Sequence, residues 1–183
     1  MKHLFLTLFL GFLAISCHRF SGTDESINPV DQLPPATTTG ANTIGCLVNG
    51  AVMLPHQNNP LGSPSKTCFY QFVNNEWNFS LGFSNDKSNY IKDVNVFAKG
   101  ILLVQGNIYP LKLNQNPGFW GHYAKATGSP DFFTDNINIG EIKINKLDMQ
   151  HNIISGTFWF DAVNSNGEKV QIRDGRFDFT YIP

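Results

Sequence analysis

The chain has 183 residues, a formal net charge of −1 and charged residues at only 15 %. That length allows one domain with a sizeable core, and the charge balance supplies neither a basic patch for nucleic acid nor an acidic run for a cationic partner. Sixteen Phe, five Tyr and three Trp tilt the composition towards strands, because aromatic side chains pack well on a pleated surface.

In chain order, Met1 to Cys17 comes first. Lys2, with His3 beside it, forms a basic tip, and Leu4 to Leu13 is an apolar run broken by Thr7 and Gly11. The run is about half the roughly 20 residues a membrane-spanning helix needs, and its flanks are those of a cleaved export signal. Ala14-Ile15-Ser16-Cys17 resembles the lipobox of bacterial lipoproteins, with Ala14 where leucine is commoner. That resemblance implies a signal peptide over residues 1–16, cleavage after the small Ser16, and acyl chains (palmitate among them) on Cys17. Two or three chains make a stable anchor at roughly 0.8 kcal/mol per buried methylene. The alternative is an ordinary secretory signal with Cys17 as an unrelated thiol.

Residues 17–42 form a tether rich in Ser, Thr, Asn and Pro, including Pro34-Pro35. Such a segment buries too little apolar surface to offset its ordering entropy, although Leu33 and Ile44 offer apolar handles by which 33–45 can pack along the domain. Residues 43–183 then alternate strand and turn. Asn49-Gly50 between two short strands is a hairpin signal, since a type I′ turn needs positive φ twice. Thr67 to Val73 and Trp77 to Phe83 flank Asn74-Asn75, the latter strand placing Trp77, Phe79, Leu81 and Phe83 on one face. Tyr90 to Ala98 reads as a strand or a short helical turn. Ile101 to Val104 and Asn107 to Leu113 read as a hairpin about Gln105-Gly106. Phe119 to Ala126 is strand-like and ends at Gly128-Ser129-Pro130-Asp131.

Gly140 to Leu147 and Ile153 to Val163 alternate regularly, and Asn164 to Gly167 reads as a hairpin loop. Ser155-Gly156-Thr157 marks a bend or bulge where another strand comes close. Val170 to Ile172 and Arg176 to Ile182 read as the last two strands, joined by a turn at Asp174-Gly175. The expected fold is all-β: one antiparallel β-sandwich or lipocalin-like barrel of about eight to ten strands.

Cys46 and Cys68 are the thiols left in the domain. A disulfide between them would close a loop of about 22 residues, for roughly 3 kcal/mol. Two buried reduced cysteines on neighbouring strands are the other alternative. No CxxC-like spacing points to zinc.

Two groups of blocks resemble a family of uncharacterised Bacteroidetes lipoproteins. At one end stand Leu33-Pro34-Pro35-Ala36-Thr37 with Gly40, then Gly45-Cys46-Leu47-Val48-Asn49-Gly50. At the other stand Gly140-Glu141-Ile142-Lys143-Ile144, Lys146-Leu147-Asp148, Ile154-Ser155-Gly156-Thr157-Phe158, Phe160-Asp161-Ala162 and Asp174-Gly175-Arg176-Phe177-Asp178. The family is a domain of unknown function. The resemblance implies a lipidated all-β domain on the outer membrane, and it transfers no catalytic residue.

Chemistry-bearing candidates are few. His56, His122 and His151 lack HxH or HExxH spacing, no GxSxG elbow is present, and Asp161, Asn164, Asn166 and Glu168 miss the calcium-loop register. Asp131 and Asp135 flank Phe132-Phe133 and could face a cation or sugar. Phe119, Trp120, Tyr123, Phe132 and Phe133 form the richest aromatic zone, either core or a ligand-gripping surface. The expectation is a non-catalytic, exported, outer-membrane protein without cofactor or metal, held by its lipid anchor. Its expected partner is an envelope protein, a glycan or a small apolar ligand; a carrier barrel is the first alternative and a hydrolase, signalled by His122 meeting Asp131 or Asp135, the second.

Overall fold

A computed structural model describes residues 28–59, 64–88, 90–125 and 128–183. The signal segment and Cys17 lie outside the described residues. The structure is all-β: β1 (Thr43–Val48), β2 (Ala51–Met53), β3 (Lys66–Val73), β4 (Glu76–Asn85), β5 (Lys92–Lys99), β6 (Ile108–Leu111), β7 (Gly118–Ala124), β8 (Phe132–Phe133), β9 (Gly140–Asp148), β10 (Ile153–Val163) and β11 (Lys169–Thr180). Pro29–Gln32 forms a single 3-10 turn. Among the described residues no helix is long and apolar enough to cross a membrane.

The strands form one sheet in the order β2-β1-β11-β10-β9-β6-β7-β5-β4-β3. The sheet curls into a closed barrel because the chain beyond β11 reaches β3: Tyr70 N–H donates to Ile182 C=O at 3.0 Å and Ile182 N–H to Cys68 C=O at 2.9 Å. Closure removes the long open edges that would otherwise recruit other strands. β1 and β2 extend the sheet beyond β11, and β8 bridges β7 and β10.

Alternation builds the core. Cys68 and Tyr70, Phe79, Leu81 and Phe83, Val94, Val96 and Ala98, Ile142 and Ile144, and Ile154, Phe158, Phe160 and Ala162 all turn inward, each under 4 % exposed. Large rings sit opposite glycines: a Cβ at Gly121 would lie 2.9 Å from the Phe160 ring, one at Gly156 2.9 Å from Phe177, and one at Gly175 2.6 Å from Phe158. Large-against-small pairing fills the narrow interior of a small barrel. Cys46 and Cys68 are free thiols in this core, and burial pushes both far above the ordinary thiol range.

Turn chemistry follows from the sequence at both tight hairpins. Asn49-Gly50 and Asn74-Asn75 have positive φ at both central residues, as type I′ turns require. Ser155-Gly156 carries the register shift against β9, where a Cβ at Gly156 would meet Lys143 O at 2.0 Å. Two expectations are corrected. Asp174-Gly175 does not join two strands; it is an irregularity within continuous β11, opposite shifts at Gly45/Leu47 and Phe158/Phe160. Asp174 takes φ 52° while both neighbouring strands continue their pairing, so the dipeptide signals a bulge where a turn was expected. Ile101 to Val104 likewise does not pair with β6. That segment crosses one end of the barrel, Leu103 plugging it at 3 % exposed with its N–H donating to the Tyr70 hydroxyl at 2.9 Å, and β6 pairs with β9 and β7.

Residues 33–42, compositionally part of the tether, run as a strap along the outside of β11. Leu33 is 6 % exposed. Asp178 accepts hydrogen bonds from the Thr37 hydroxyl at 2.6 Å and from the backbone N–H groups of Thr39, Gly40 and Ala41 at 2.9, 2.8 and 3.2 Å. Burial pulls the Asp178 carboxyl up, but these donors outweigh it and hold it below the ordinary carboxylate range. Because the folded value is depressed, the stabilisation is fully present above the unfolded value of about 3.9 and is lost as pH falls through the folded value. Asp178→Ala orphans three N–H groups and is expected to lower unfolding stability by about 3 kcal/mol at pH 7, with a difference that shrinks below about pH 4. Urea denaturation of both proteins across pH measures it, and a loss that is the same at pH 3 and pH 7 contradicts the assigned role.

Candidate functional site

The side chains that alternate outward from β3, β4, β5 and β7 line up because these strands pair without a register shift. Cross-strand partners on one face form rows. One row runs Phe69, Ser80, Phe97, Trp120, and Ile182 extends it by bridging to Phe69. Phe97 and Trp120 stack with centroids 5.5 Å apart and planes at 29°. The small Ser80 between Phe69 and Phe97 leaves a shallow open hollow of about 430 Å³. The row is an apolar stripe.

Polar rows bound it on both sides. Gln71, Asn78 and Lys99 lie in register on one side, and all three line the hollow. The Gln71 amide donates to Pro183 C=O at 2.9 Å and the Asn78 amide to Glu76 C=O at 3.1 Å. Lys99 Nζ lies 3.7 Å from Glu76.

On the other side run Thr67, Gly82, Asn95, His122 and Phe133. His122 Nε2 lies 3.1 Å from Asp131, and its Nδ1 lies 3.1 Å from the Asn95 amide nitrogen. An amide N–H donated to Nδ1 leaves the proton on Nε2, aimed at Asp131. Phe133 covers the ring with centroids 4.8 Å apart. Nearby Asp93 is pushed above the ordinary carboxylate range, chiefly by burial, with His122 opposing and Asp131 adding to the shift. The imidazole is thus held at both nitrogens and packed on one face, with no hydroxyl or thiol hydrogen-bonded to it among the described residues.

The sequence-predicted residues fall in several places. Trp120 and Phe133 are outward, Phe133 at 41 % exposed. Phe119, Tyr123 and Phe132 are core at 4 %, 5 % and 3 %, because the alternation that sends Trp120 outward sends its neighbours inward. Tyr123 packs on Phe132, and Phe119 stacks on Tyr109. Asp131 and Asp135 do not act as a pair: Asp131 meets His122, while Asp135 accepts from the backbone N–H groups of Ile137 and Asn138 at 2.7 and 2.6 Å. His56 pairs with Asp86 and His151 with Asp148, at 2.9 and 3.1 Å. Asp161 pairs with Arg173 at 2.5 Å, and Asn164 ties its own loop through the N–H groups of Asn166 and Glu168, each at 3.0 Å. No three His, Cys, Asp or Glu side chains converge as a metal-ligand set among the described residues.

Phe69 and Phe97 are the stripe members that pattern reasoning missed. Their signal was present, since both interrupt an otherwise clean alternation: each is an aromatic residue at an outward position between two inward apolar ones.

Residues 101–180 match a family model described as a domain of unknown function, DUF6252. The matched span runs from the plug segment to the end of β11; it contains Trp120 and His122, whereas Phe69, Ser80 and Phe97 lie on strands before it. No curated protein and no solved structure matches the chain.

Gly82 is the point where backbone space sets this face. A Cβ there would lie 2.1 Å from Asn95 Oδ1, so Gly82→Ala must expel the Asn95 carboxamide from its place beside His122. The expected outcome is a loss of about 1–3 kcal/mol from overpacking, with a moved His122 side-chain NMR resonance. Unchanged stability together with an unchanged resonance contradicts this packing.

Proposed function

We propose that this protein is a lipid-anchored component of the bacterial cell envelope, akin to the uncharacterised Bacteroidetes outer-membrane lipoproteins its sequence blocks resemble. In this reading it is non-catalytic, and its barrel is a binding or interaction module. The observation that carries the reading is the in-register stripe of Phe69, Ser80, Phe97 and Trp120 on an outer face. An antiparallel sheet with one face to solvent ordinarily places polar side chains there. A row of rings on that face costs solubility and stabilises nothing inside, so it favours a contact role.

The carrier alternative requires an interior able to hold a ligand. Tyr70, Phe79, Phe158 and Phe160 instead pack in the core at 3 % exposed or less, together with Leu103, whose N–H donates to the Tyr70 hydroxyl. The hydrolase alternative draws on the His122–Asp131 pair. With Asn95 and Asp131 on its two nitrogens and no hydroxyl or thiol hydrogen-bonded to it among the described residues, the imidazole serves best as a fastener for Asp131 beside β8.

The anchor and the contact face have separate tests. Cys17→Ser is expected to abolish lipid labelling and move the protein out of the membrane fraction; a variant that stays membrane-bound overturns the anchor. For the face, a photo-crosslinking side chain placed at Phe97 in the membrane-bound protein is expected to form adducts with an envelope component. The same group at the outward Lys143 of β9 is expected to form none. Equal yields at the two positions overturn the contact face.

A further inference from the structure

Resting on the contact-face reading, we propose that the stripe is a carbohydrate-binding platform for a chain of β-linked, all-equatorial pyranose units, laid across the strands with sugar rings over Trp120, Phe97 and the gap at Ser80. Such a sugar carries its hydroxyls at the rim and its C–H bonds on two flat faces. Its counterpart needs an apolar strip with polar groups at the edges. A ring face presents the negative side of its quadrupole to such C–H groups; Phe97 and Trp120 stack on one another with centroids 5.5 Å apart, and with Phe69 they form the apolar wall of the hollow. The Gln71 and Asn78 side chains and the Lys99 ammonium line the hollow as polar partners, and the Ser80 hydroxyl, which makes no hydrogen bond among the described residues, can donate or accept. The opposite edge offers Thr67 and the His122 row.

The dimensions argue against the other occupants. From Ile182 to Trp120 the stripe crosses four strand spacings, about 19 Å, and its width between polar rows is about one same-face repeat of 7 Å. That is on the order of 130 Å², far below the roughly 800 Å² per partner of a stable protein interface. Strand addition of a peptide needs an open edge, whereas β3 is occupied by Ile182 and β7 by β6 and β8. An acyl chain is best enclosed by apolar walls, and this hollow is open, with amides and an ammonium at its edge. A flat saccharide ribbon suits a narrow, straight, polar-edged strip.

The test uses the detergent-purified, lipidated full chain, titrated calorimetrically with cellohexaose, chitohexaose and maltohexaose. Cellohexaose or chitohexaose is expected to bind saturably, and the curved α-linked maltohexaose at least tenfold more weakly. Trp120→Ala and Phe97→Ala are each expected to weaken binding at least tenfold, while Trp159→Phe on β10, beside Arg173 and Glu141, leaves it unchanged. Circular dichroism of each variant separates lost binding from lost fold, and Phe97→Leu supplies a milder change if Phe97→Ala unfolds. Absence of binding by all three sugars, or binding undiminished in folded Trp120→Ala, overturns the proposal. If Phe97 crosslinks to an envelope protein while no sugar binds, the ligand class falls and the contact face stands. If neither occurs, both fall.

Discussion

Asp178 is a carboxylate on the outer side of a barrel strand that is nevertheless shut away from water, at 1 % exposed. A charge in that position is costly unless its oxygens are fully engaged, and here the engagement comes from a segment remote in sequence. The N–H groups of Thr39, Gly40 and Ala41 converge on it with the Thr37 hydroxyl, so the strap between residues 33 and 42 cannot leave without orphaning both sides. β1 follows the strap directly and pairs back along β11 from Thr43 opposite Asp178. One side chain therefore sets where the chain enters the sheet and in which register.

β11 is the strand on which closure depends. It pairs with β10 on one side and β1 on the other, and its continuation at Ile182 reaches β3. To serve three partners it must bend, and the bulge at Asp174-Gly175 supplies the bend. Gly175 is needed for space as well, since a Cβ would collide with Phe158. The same trade of large ring for missing side chain recurs at Gly121 against Phe160 and at Gly156 against Phe177. A barrel packed this way has an interior filled by side chains.

What the sequence disclosed and what it hid divide along the range of the interactions. Asn49-Gly50 and Trp77 to Phe83 were legible because turn φ and face alternation are local properties. Asp174-Gly175 was misread as a turn because the same dipeptide suits a bulge, and only the partner strands running past it on both sides decide. The role of residues 33–42 was half legible: Leu33 hinted at packing, but the strap's hold is a carboxylate 137 or more positions away in the chain. Of the candidate aromatic residues, Trp120 belongs to the stripe and Phe133 to the row beside it, while Phe119, Tyr123 and Phe132 went into the core with the opposite phase. Phe69 and Phe97 become neighbours of the site only through the register of β3, β4 and β5, which no single stretch of sequence states.

The strap and the stripe are mechanically one system. Ile182 is the first member of the outer row and lies four residues beyond Asp178 on the same run of chain. Its backbone clasps β3 at Cys68 and Tyr70, which flank Phe69. Loosening the strap therefore loosens the seam on which Phe69 is presented, although nothing in the strap touches Phe69 itself. The DUF6252-matching span supplies β6 to β11 and brings Trp120 to the face, and the strands before it bring Phe69, Ser80 and Phe97. The stripe exists only when both halves close on each other, and within residues 101–180 Trp120 is its single member.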